Sequence, residues 1–68
     1  MIKEYTITST LANGEQTEYV FKNYIQALKT FNMFVYSVRP NVCTLWEEDR
    51  DGIRAVKQYR KENKKNAR

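Results

Sequence analysis

One stretch of helical periodicity lies between two pairs of alternating segments, and it limits what this chain can fold into. Apolar residues recur at helical spacing through Tyr24, Ala27, Leu28, Phe31, Phe34, Val35 and Val38. Asn23 is a suitable N-cap, with Gln26 three residues later able to reach back to it. Arg39 falls in the last predicted turn, where positive charge suits the helix dipole. Pro40 stops the helix, because its ring disfavours the helical conformation in the residue before it. A chain of sixty-eight residues has room for one domain of at most two packed layers. Any sheet it forms therefore receives a single helical lid.

The flanking segments read as strands. In IKEYTITS, Ile2 to Ser9, Tyr5 and Ile7 alternate with Glu4, Thr6 and Thr8, the pattern of a half-buried strand rich in β-branched residues. Asn13-Gly14 then signals a hairpin turn in which both turn positions need positive φ. It leads into EQTEYVF, where Thr17, Tyr19 and Phe21 share a face. After the helix, VCTLWEE and IRAVKQY form a second hairpin around Asp49, Arg50, Asp51 and Gly52. The order is β-β-α-β-β, an α+β fold: a four-stranded, mostly antiparallel sheet with one helix across one face. A competing arrangement runs a helix from about Asp51 to the end, since Ala55, Lys57, Gln58, Arg60 and Lys61 would permit it.

The second hairpin carries apolar side chains on both of its faces. A turn of two or four residues groups Cys43, Leu45 and Val56 on one side, with Glu47 and Arg54 as a cross-strand ion pair. Val42, Trp46, Ile53, Ala55 and Tyr59 fall on the other, with Thr44 and Lys57. Alternation alone does not say which set lies under the helix. If the Trp46 set is outward, several hundred Å² of apolar surface is uncovered, and at about 25 cal/mol/Å² its burial would favour association. The helix adds a stripe of Ile25, Lys29, Met33 and Tyr36 away from the core side.

The net charge of +4 matters through its location. Arg60, Lys61, Lys64, Lys65 and Arg68, against Glu62 alone, carry all of it, so residues 1–59 form a neutral domain and residues 60–68 a basic tail. A neutral body lacks the broad positive face of a duplex binder. No apolar run is long enough to span a bilayer or to form a signal-peptide core, and the single Cys43 leaves no internal disulfide, so the sequence points to the cytoplasm. The size, the single-lid plan and the Asn/Lys-rich end resemble those of small accessory proteins of phages and mobile elements, a likeness that assigns no functional residue.

The sequence offers little for catalysis. Without histidine it lacks the usual general base near neutral pH and the commonest metal ligand. Cys43, inside a strand with no base beside it, reads as an inert buried thiol. Asp49-Arg50-Asp51-Gly52 echoes the start of a calcium loop, but Arg60 stands where the bidentate glutamate should be. Gly14 and Gly52 are both used in turns, so no glycine-rich phosphate loop exists, and no cofactor is implied.

Two functions remain. The first is a non-enzymatic interaction module, a homodimer or a binder of a protein partner, using Trp46, Tyr59, Val42 and Ile53 on the sheet or Ile25, Met33 and Tyr36 on the helix. The second is single-stranded nucleic-acid binding, with Trp46 and Tyr59 stacking bases. In it Lys22, Lys57, Arg60, Lys61, Lys64, Lys65 and Arg68 contact phosphates.

Overall fold

A computed structural model describes residues 3–61. Its elements are β1 (Glu4–Thr10), β2 (Gln16–Phe21), α1 (Tyr24–Val38), β3 (Val42–Asp49) and β4 (Gly52–Arg60). The strands form one antiparallel sheet in the order β2-β1-β3-β4, so β1 and β3 are central and β2 and β4 are edges. The β-β-α-β-β order and the α+β class are those anticipated above. Among the described residues no helix follows Asp51: Gly52–Arg60 is β4, paired with β3 on either side of Val56, and those ladder hydrogen bonds with the packing of Tyr59 on the core outweigh the weak helix preference of Ala55, Lys57 and Gln58.

Alternation along β1 decides the layers. Tyr5, Ile7 and Ser9 are buried beneath α1, whereas Glu4, Thr6, Thr8 and Thr10 face the other way. Across the sheet Tyr5, Ile7 and Ser9 pair with Phe21, Tyr19 and Thr17 on one side and with Glu47, Leu45 and Cys43 on the other. Cys43 and Leu45 of the second hairpin therefore lie under the helix, whereas Val56, grouped with them by alternation, is exposed and outside the core. Ile7, Leu45, Cys43, Tyr5, Ala27 and Phe31 make the core, with Phe21, Leu28, Phe34, Val35 and Tyr59 packed around it. Ser9 and Thr17 satisfy each other's hydroxyls within this layer.

Both ends of α1 have local causes. The Asn23 carboxamide oxygen accepts the Gln26 N–H at 3.0 Å, closing the first turn. At the other end Arg39 is not in the last turn but caps it in the left-handed conformation, φ 56°, and buried Pro40 then turns the chain into β3. The first hairpin also departs from expectation. Positive φ falls on Gly14 alone, at 91°, with the Gly14 N–H bonded to Leu11 O and the Leu11 N–H to Glu15 O. Ala12, Asn13 and Gly14 thus make a three-residue loop in which only the last needs glycine.

Candidate interaction surface

Among the described residues none forms a layer over the face of the sheet opposite α1, and the residues of that face follow from register. One cross-strand row runs Val20, Thr6, Trp46, Ala55; a second runs Glu18, Thr8, Thr44, Gln58; Glu4, Glu48 and Ile53 make a third. Trp46 is half-buried, Val20 is 55% exposed and Ile53 57% exposed. The indole is fixed in place: its Nε1–H donates to Thr8 Oγ1 at 2.9 Å. Beside it, Gln58 Nε2 donates to buried Thr44 Oγ1 at 3.3 Å. A shallow hollow of ≈ 410 Å³ lies over this centre, lined by Thr6, Thr8, Glu18, Trp46, Glu48 and Ile53.

The charges on this face are one-sided near Trp46. Glu18 and Glu48 border the hollow, and Glu4 stands directly opposite Glu48 across β1 and β3. Glu47, by contrast, belongs to the helix side and is held by Lys3 and Arg54, each at 2.9 Å. The Lys3 hydrogen bond is the main reason its carboxyl sits below the usual glutamate range, with Arg54 adding to it. Lys3 is raised in turn by the same contact.

Tyr59 and Lys57 do not join Trp46, as simple alternation had them doing. Leu45 pairs with Lys57 but Trp46 pairs with Ala55, so Val56 is an extra residue in β4 with no partner, a β-bulge. Beyond it the parity of β4 is inverted. Tyr59, opposite Cys43, packs on the core beneath α1. Lys57 Nζ donates to Asn32 Oδ1 at 3.3 Å and lies 5.6 Å from the Phe31 ring centroid. A bulge has no firm signature in single-sequence alternation; its only trace here is that Ala55-Val56 puts two apolar residues in succession.

Of the remaining sequence-derived residues, Val42 and Ile53 share the open face with Trp46. Ile25, Met33 and Tyr36 are 57%, 63% and 80% exposed on the outer side of α1, a surface separated from Trp46 by the whole thickness of the molecule. Lys22 is exposed just beyond β2. Arg60 ends β4 opposite Val42, and the Lys61 N–H bonds Asn41 O, so these two residues of the basic tail continue the sheet. Lys64, Lys65 and Arg68 lie outside the described residues. The alternation Gln16, Glu18, Val20 was legible, yet Val20 gained its place only once the β1–β2 register set it in line with Trp46.

Cys43 is fully buried, and burial pushes its thiol up to about 11. Among the described residues no cluster of three metal-ligating side chains occurs, and no helix is long and apolar enough to cross a membrane. No protein-family model, curated protein or solved structure matches the chain.

Proposed function

We propose that this chain is a small non-enzymatic interaction module that receives a protein partner on its open sheet face, centred on Trp46. The observation that carries the reading is the row Val20, Thr6, Trp46, Ala55, with Ile53 beside it, on a sheet face over which no element of the described residues packs. A fixed aromatic of this kind is a common anchor, since interface energy concentrates in a few large side chains. The Glu4, Glu18 and Glu48 carboxylates around it favour a partner that brings an apolar segment flanked by lysine or arginine. The single buried thiol suits a reducing compartment such as the cytoplasm.

Nucleic-acid binding draws less support from the same surface. Tyr59 and Lys57 are on the helix side, and the three carboxylates repel phosphate where Trp46 would stack a base. The test compares proteins retained by the immobilised native chain with those retained by Trp46→Ala and Ile53→Glu. A retained protein is then purified and titrated against Trp46 emission. Loss with both variants and a blue shift with the native chain are expected. Retention unchanged by both variants would sink the reading, and oligonucleotide binding that persists without residues 62–68 would replace it.

A further inference from the structure

The two edges of the sheet are not equally protected. β4 has a bulge at Val56 and carries Arg54, Lys57 and Arg60, features that discourage pairing with another strand. β2, QTEYVF, has no bulge, no proline and no basic residue. The Leu11 N–H bond to Glu15 O fixes which of its backbone groups are free. By antiparallel alternation Thr17, Tyr19 and Phe21 bond to β1, and Gln16, Glu18 and Val20 turn N–H and C=O outward. The Asn41 N–H bond to Thr10 O agrees with this phase, since Thr10 then faces β3.

We propose that β2 pairs antiparallel with β2 of a second copy, about a two-fold axis at Val20, making one continuous eight-stranded sheet. Among the registers that keep every side chain on its own face, this one is self-complementary. It sets Glu18 opposite Lys22 of the second copy, twice, and Tyr19 opposite Phe21, twice. Centring on Glu18 would set two carboxylates face to face, and centring on Tyr19 would leave Lys22 opposite Gln16. Tyr19 is already oriented for an aromatic neighbour, lying edge-on to Phe34 with centroids 6.0 Å apart. Pairing also joins the two Trp46 rows through Val20 into a single apolar stripe, with both helices on the opposite side of the sheet.

The test is sedimentation of the full chain across micromolar concentrations, with a mass twice the 8.1 kDa chain expected. Glu18→Lys, which sets lysine against lysine at both ends of the pairing, should raise the dissociation constant about tenfold or more. Combining it with Lys22→Glu should restore the native value to within about threefold. Val20→Pro removes an N–H that points away from β1, so it should dissociate the dimer while the circular dichroism of the fold is kept. A native chain that stays monomeric overturns the proposal, as does a single charge variant that the double variant fails to rescue. Trp46→Ala should leave the dimer intact. Dissociation by that variant would mean that copies meet through the open face, overturning the edge pairing while leaving the docking surface in place.

Discussion

Single side chains carry several separable effects in this protein. Arg39 holds φ 56° at the end of α1, a conformation costing a non-glycine residue about 1 kcal/mol, so Arg39→Gly should stabilise the fold by a similar amount in urea melts. Glu47 gives a pH dependence of definite sign. Its folded carboxyl is depressed, chiefly by the Lys3 hydrogen bond, so its contribution is present above the ordinary value of 4.5 and is lost as pH falls through the folded value. The thermal midpoint of the native protein should therefore exceed that of Glu47→Gln near neutrality, and the two should converge in acid. Cys43 acts at the other extreme. With its folded thiol raised from 9.0 to about 11, the unfolded chain ionises first, so stability should decline as pH climbs through that interval, and a thiol reagent at pH 8 should label Cys43 only in denaturant.

At the scale of elements, what the sequence disclosed depended on whether periodicity or residue count decided the outcome. The strands, the capped helix and the antiparallel plan all follow from alternation, from Asn23 and from Pro40. The helix-side identity of Cys43 and Leu45 needed β1, whose buried Ile7 pairs with Leu45. The bulge at Val56 and the three-residue loop ending in Gly14 each turn on a single inserted position, which a pattern of period two does not record. Pairing between strands also exposes a local conflict: Glu4 and Glu48 are directly opposite. Replacing Glu48 with lysine should add a few tenths to about 1 kcal/mol of stability, read from denaturant midpoints, while weakening any basic partner at Trp46.

At the scale of the whole molecule, one lid over a four-stranded sheet leaves, among the described residues, a core of six buried apolar side chains, small enough that a single truncation matters. Ile7→Ala, at the contact of β1 with β3 under α1, should cost about 2–5 kcal/mol, a loss visible as a population of unfolded chain at ambient temperature. The extra residue in β4 has a wider consequence. Removing Val56 would leave a regular ladder with every face unchanged, whereas drawing Val56 into the pairing would act on the strand as a frameshift acts on a message: keeping the turn-side half in place would swing Tyr59 out to the Trp46 side, and keeping the far half would turn Ala55 and Ile53 inward. Which chemistry this protein shows to the world on its bare side is thus governed by whether one residue of one strand stays out of the ladder.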